Sequence, residues 1–312
     1  MPFSHHSHSG QFCPGHAKDS LEEVIQTAIE KGMQVFCLSE HMPRHNEDLY
    51  PEEIGTNTLD SMLENEAAYF KEAIGLREKY QSQINIPIGF ESDWIRPSSL
   101  DLIKGSLDEY PCDFFIGSVH HVHTIPIDYD KDFYSRARQL SGGTDEKLFE
   151  DYFDDQYKLL MELKPPVIGH FDLIRLMSDN SDASFQQWPQ VWEKILRNLD
   201  FIAGYGGLLE LNSASLRKGM SEPYPKAEIC KEFLVRSGRF CLSDDSHGVH
   251  QVALNYSRVR DFLGDAGIST VHYLKYEPDS PTSVLDDRFP TMRVHSVSLE
   301  DLKKEPFWEL IA

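Results

Sequence analysis

Histidines and carboxylates recur along this chain at the ends of short apolar runs, and their spacing is that of metal ligands. His6 and His8 flank Ser7 near the start, His41 closes VFCLSEH, Glu91 follows IPIGF, His120 closes FFIGSVH, His170 closes PVIGH, and Asp245 and His247 flank Ser246 at the end of FCLSDDSH. Residues two apart on a strand point the same way, so each His-x-His or Asp-x-His pair can reach one ion from one strand. A carboxylate at the end of a buried run, as Glu91 is, needs a cation or several hydrogen bonds, and a position bridging two ions meets that need. His16 follows a Cys-Pro-Gly turn and precedes a helix expected from Asp19, which places it in the first strand-to-helix loop.

Each of these residues has a plainer reading when taken alone. SHHSHS is also a histidine-rich tail, His16 a loop residue, His41 a cap, and His120 and His170 satisfied core histidines; Asp244 competes with Asp245, which is the residue assigned. Taken together, seven imidazoles and two carboxylates at the ends of different strands suit two or three divalent ions of borderline hardness, Zn, Mn or Fe. Paired ions roughly 3.5–4 Å apart acidify a shared water to a hydroxide nucleophile and clamp the attacking and leaving oxygens. That is hydrolytic chemistry, most naturally on phosphate esters.

The elements that must position these groups alternate. Strands are expected at 3–6, 34–39, 86–91, 114–119, 167–170, 208–212 and 240–243, with a weaker one at 271–276, and amphipathic helices at 19–31, 59–81, 146–163, 188–202, 226–237 and 251–263. Such βαβα order predicts an α/β fold, a parallel barrel of seven or eight strands formed by one domain over 1–312, with the ligands on its C-terminal face. The polar stretches 46–57, 125–143 and 178–184 read as loops on that face, and 277–289 as an excursion before a short final helix over 298–310.

Composition limits the partners. Thirty Lys+Arg against 51 Asp+Glu give a net charge of −21, which repels nucleic acid and anionic membranes but says little about the pocket, where bound divalent ions would return positive charge locally for a small phosphate monoester. Five cysteines without CxxC spacing, no basic-then-apolar leader and no long apolar run predict a reduced, cytoplasmic protein. Oligomeric state is not legible.

In order, His6 and His8, His16, Ser39-Glu40-His41, Glu91, His120, His170 and Asp245-Ser246-His247 resemble the motifs of the polymerase and histidinol phosphatase (PHP) superfamily. Within it, HSHSGQFCPGHA, LSEHMPR, GFESDW, GSVHHV, IGHFDLIR, ELNSASLRKG and LSDDSHG are most similar to the histidinol-phosphatase branch. The resemblance implies a distorted (β/α)7 TIM-like barrel with a trinuclear site that hydrolyses L-histidinol phosphate. It implies His6, His8, Glu91 and Asp245 for one ion, His16, His41 and His247 for a second, and Glu91, His120 and His170 for a third. For the phosphate, Arg175, Arg217 and Lys218 are the expected cations, with Arg44 a weaker candidate; Asp93, Trp94, His121, His123 and Asp128 are left open for the amino and imidazole groups. The alternatives are another small-molecule or nucleotide phosphoesterase of the superfamily, or a non-catalytic metal-binding protein, which would be expected to lack a bridging ligand such as Glu91.

Overall fold

The computed structural model describes residues 2–282, 284 and 286–311. Its strands are β1 (Phe3–Ser4), β2 (Val35–Phe36), β3 (Leu38–His41), β4 (Ile88–Asp93), β5 (Ile116–Ser118), β6 (His121–Val122), β7 (Ile125–Pro126), β8 (Val167–Ile168), β9 (Leu208–Asn212), β10 (Arg239–Ser243), β11 (Thr270–Tyr276) and β12 (Met292–Ser298). Six of them form a parallel sheet in the order β10-β9-β8-β5-β4-β3. Because both faces of a parallel sheet are covered, its strands are continuous apolar runs rather than alternating ones, and β8 to β10 are buried at nearly every position.

The first strand closes the ring. β1 pairs in parallel with β2, and across the other edge His5 N donates to Leu242 O at 3.2 Å. β2 and β3 are one barrel strand interrupted at Cys37, whose N still donates to Ser4 O at 2.9 Å. The result is a seven-stranded barrel, with β2 and β3 counted together. Ser4 Oγ donates to Asp244 Oδ1 at 3.0 Å, and Asp244 also accepts from Ser246 N and Ala253 N, so the start of the chain is tied to the loop after β10.

Helices α1 (Leu21–Glu30), α2 (Leu59–Tyr80), α3 (Ser99–Glu109), α4 (Lys131–Leu140), α5 (Asp145–Leu163), α6 (Pro189–Tyr205), α7 (Ala214–Arg217), α8 (Ala227–Val235), α9 (Tyr256–Asp265), α10 (Leu299–Leu302) and α11 (Phe307–Leu310) complete the chain. α1 starts from a capping box between Ser20 and Glu23, which satisfies two otherwise free backbone donors.

Several expectations are corrected. The segment 125–143 is not a loop: β6 and β7 make a hairpin that turns at His123 and Thr124, both with positive φ, and α4 follows with Asp130 capping Phe133 N. Only Tyr134 and Ala137 of α4 are buried, and the segment KDFYSRARQL is so polar overall that it reads as a solvated loop. α3, with Gly105 inside it, escaped for a similar reason. The eighth strand exists as β11, yet it pairs antiparallel with β12 instead of joining the barrel. Leu274 N donates to His5 Nε2 at 2.8 Å, fixing that hairpin on β1. Ser283 and Leu285 of the 277–289 excursion lie outside the described residues. The helix expected over 298–310 is two short turns, α10 and α11, parted before Pro306. Among the described residues no helix is long and apolar enough to cross a membrane, and all five cysteines are free.

Glycines let adjacent strands carry large neighbours. A Cβ on Gly89 of β4 would lie 2.4 Å from Phe114 O, a backbone atom that cannot swing aside, whereas one on Gly75 of α2 would meet nothing within 4 Å. Gly89→Ala is therefore expected to destabilise the fold by roughly 1–3 kcal/mol. Gly75→Ala should be neutral or stabilise by up to about 1 kcal/mol. Denaturant midpoints for the two variants measure this, and an unaltered midpoint for Gly89→Ala would contradict the strand packing described.

Candidate metal centre

The strand ends deliver their polar residues to one cavity of about 260 Å³, lined by His16, His41, Glu91, His120, His170, Asp245 and His247 among others. Glu91 lies at its base, 2% exposed, as the fourth residue of β4. Five imidazoles surround its carboxylate: His41 Nδ1 at 3.0 Å, His6 Nε2 at 3.2 Å and His8 Nε2 at 3.6 Å from Oε2, with His170 Nε2 at 3.0 Å and His120 Nε2 at 3.4 Å from Oε1. Asp245 Oδ1 is 3.5 Å from His8 Nε2 and 3.8 Å from His6 Nε2.

Electrostatics follow from this crowding. Burial disfavours the Glu91 carboxylate, but His6 and His120 overcome it and hold its pKa well below the usual range. Asp245 is likewise held low against burial, chiefly by His6. Burial, and then the neighbouring His41, lower His8 to about 3; burial lowers His41 to about 4 against the pull of Glu91. Neutral imidazole is the ligating form.

The donor set fits divalent ions. Three groups have ligand atoms within 4.8 Å of one another: His6, His8 and Glu91; His8, His41 and His247; and Glu91, His120 and His170. Tetrahedral ligands about 2.1 Å from a metal stand about 3.4 Å apart, which is the spacing seen around Glu91. His6 Nε2, His8 Nε2 and His247 Nε2 are buried without a hydrogen-bond partner, a costly arrangement that a cation among them resolves.

The residues behind these ligands set their orientation. Glu210, fully buried in β9, accepts from His6 Nδ1 at 3.0 Å, from His170 N at 2.9 Å and from Asn212 Nδ2 at 2.8 Å, which leaves His6 Nε2 bare toward Glu91. Sequence reasoning passed over Glu210, although a carboxylate inside the apolar run LLELN is the same signal that marks Glu91. Glu40 accepts from Ser9 N and Ser9 Oγ and stands 3.8 Å from His8 Nδ1. Asp93 accompanies His120 at 3.4 Å and His121 at 3.3 Å. The choice between Asp244 and Asp245 is explained by the backbone: Asp245 has φ 49°, a left-handed kink that turns its carboxyl to the cavity while that of Asp244 stays in the wall.

The remaining candidates separate. The His16 ring lies 4.7 Å from that of His247 and 5.7 Å from that of His41, at the edge of the cluster. Lys218 lines the cavity and is exposed; Arg217 is half-buried and donates to Asp245 O at 3.3 and 3.4 Å. Arg175 is 1% exposed, pairs with Asp172 at 2.9 Å, and donates to the carbonyls of Ser181, Glu222 and Pro223, behind the residues that line the cavity. Its position five residues after His170 suggested proximity, but the turn Leu173–Arg175 carries the side chain into the wall. Arg44, the weaker candidate, does line the cavity, paired with Glu53.

Comparison with known proteins agrees with this geometry. The family described as PHP domain matches residues 4–214. A protein of Schizosaccharomyces pombe named "Probable histidinol-phosphatase" is 44% identical over 287 residues, covering 91% of this chain and 93% of its own. The histidinol-phosphatase of Saccharomyces cerevisiae is 31% identical over 98% of each chain. A Lactococcus lactis histidinol phosphate phosphatase, solved with Zn, L-histidinol and phosphate, shares the fold at a TM-score of 0.64 and 21% identity, over 85% of this chain and 94% of its own. With the ligand motifs in order and the barrel closed around them, the chain belongs to the PHP-domain family, in its histidinol-phosphatase branch.

Proposed function

We propose that this chain is a metal-dependent phosphoric monoester hydrolase that converts L-histidinol phosphate to L-histidinol and phosphate in histidine biosynthesis. The observation that carries the reading is the set of five imidazoles within 3.6 Å of the Glu91 carboxylate, in a chain 44% identical to a histidinol-phosphatase relative. In this reading residues 1–312 work as one barrel domain, since the strand that begins the chain is bonded to residues near 242–246, and the free cysteines suit a reducing cytoplasm. A cavity of about 260 Å³ suits a small ester.

His6, His8, Glu91 and Asp245 would hold one ion, His41 and His247 with His16 a second, and Glu91, His120 and His170 a third. Bound Zn, Mn or Fe would supply an acidified water and charge neutralisation at the phosphate. The chain's own contribution is positional. Glu210 fixes the tautomer of His6, Arg217 holds the backbone of Asp245, and Lys218 adds a positive charge at the mouth for the phosphate.

Three outcomes test the reading. Purified protein should contain more than one divalent ion per chain and lose phosphate release on chelation; full activity after exhaustive chelation, with trace metal only, would rule it out. Glu210→Gln should fold normally but bind its metals about 10–100-fold more weakly in chelator competition, with activity recovered at excess metal. Glu91→Gln should not be rescued that way. The cations should behave oppositely: Lys218→Ala raises KM for the ester a few-fold, roughly 0.5–1 kcal/mol at an exposed site. Arg175→Leu instead lowers stability by roughly 3–5 kcal/mol because the buried Asp172 loses its charge partner and keeps only the hydrogen bond from Lys226 N. A KM effect without destabilisation at Arg175 would show that it contacts substrate after all.

A further inference from the structure

The metal-binding residues treat any phosphate monoester alike, so selection for one alcohol must come from the far wall of the cavity. Four carboxylates line it: Glu53, Glu91, Asp128 and Asp245. Glu91 and Asp245 belong to the metal-binding cluster, and Glu53 is paired with Arg44. Asp128 forms no ion pair among the described residues, and its Oδ1 is buried without a hydrogen-bond partner. A carboxylate left bare in a protein cavity is a waiting acceptor for a cationic ligand group.

Its placement is built by the fold. The β6–β7 hairpin reverses the chain after His120, and Ile127 N then donates to His120 O at 2.9 Å, so Asp128 follows immediately beside the backbone of a metal-ligating histidine. Tyr50 and Tyr129, which also line the cavity, stand with ring centroids 5.9 Å apart. Tyr50 lies close enough to Asp128 that burial, and after it this carboxylate, hold the phenol well above its ordinary pKa. The other residues left open by the sequence, Asp93, Trp94, His121 and His123, do not line the cavity; Asp93 stands beside His120 and His121, and His123 contacts Asp151 and Ser141.

We propose that Asp128 is the specificity residue that receives the substrate's ammonium group, with Tyr50 and Tyr129 as the aromatic wall for its ring. This rests on the reading of histidinol phosphate as substrate. A phosphate held at the imidazole cluster directs the carbon chain outward, toward Asp128, which among the carboxylates lining the cavity is the one without an ion pair to the described residues. Charge-assisted pairing there discriminates against esters that lack the amine.

The test compares kcat/KM for L-histidinol phosphate with that for the otherwise identical imidazolylpropyl phosphate lacking the amine, in wild type, Asp128→Asn and Asp128→Ala. Wild type should prefer the aminated ester, and both variants should reduce that preference by roughly ten- to a hundred-fold, whatever happens to either rate alone. A preference that persists in both variants overturns the assignment of Asp128, as does a wild type that does not distinguish the two esters. Should wild type hydrolyse p-nitrophenyl phosphate but neither imidazole ester, the substrate reading itself falls and the subsite with it.

Discussion

The buried charge of Glu91 is the constraint around which the molecule is arranged. A carboxylate at the base of a barrel is strongly disfavoured by desolvation unless positive charge or donors meet it, and here five imidazoles converge on two oxygens. Two carboxylate oxygens cannot satisfy five rings by hydrogen bonding alone. The arrangement makes sense as a scaffold for cations, in which Glu91 is shared, the rings turn lone pairs inward, and the outer carboxylates Glu210, Glu40 and Asp93 accept from or face the opposite sides of those rings or their neighbours. The apolar strands, the glycines that let them approach and the loops that follow them all serve to keep these atoms within a few tenths of an ångström of a shared geometry.

Much of this was legible in the sequence because parallel barrels write themselves plainly. Each barrel strand is an apolar run, the candidate ligands follow such runs, and most of the intervening helices have a periodic apolar stripe; all seven barrel strands, and the residues that gather around Glu91, follow from those cues. What was missed has physical reasons. α4 buries just two residues, and the β6–β7 hairpin depends on left-handed residues at His123 and Thr124, neither of which is a glycine. Whether β11 joins the barrel or pairs with β12 is a long-range choice that its own residues do not encode. The contacts of Arg175 were not legible because distance along the chain says nothing about the direction in which a turn sends a side chain.

The wall of the cavity shows a division of labour. Imidazoles gather around Glu91, while Asp128 and the two tyrosines, with the Arg44 guanidinium over the Tyr50 ring, line another part of the cavity. A family that varies its loops while retaining its strand ends can thus change the alcohol it accepts without disturbing the chemistry of the phosphate.

Ring closure by β1 has a consequence for how the molecule comes into being. His6 and His8 are made first, yet their partners Glu210 and Asp245 lie more than two hundred positions later, and the hydrogen bond from Ser4 to Asp244 spans 240 residues. During synthesis on the ribosome one edge of the opening strand can pair with β2 as soon as that strand emerges, but its other edge stays open until the last barrel strand follows, and contacts of such sequence separation form slowly. The ligand groups that draw on Asp245 or His247 are therefore completed only when the last strand closes the ring, later than the grouping of Glu91, His120 and His170, so that a half-made chain holds only part of the cluster.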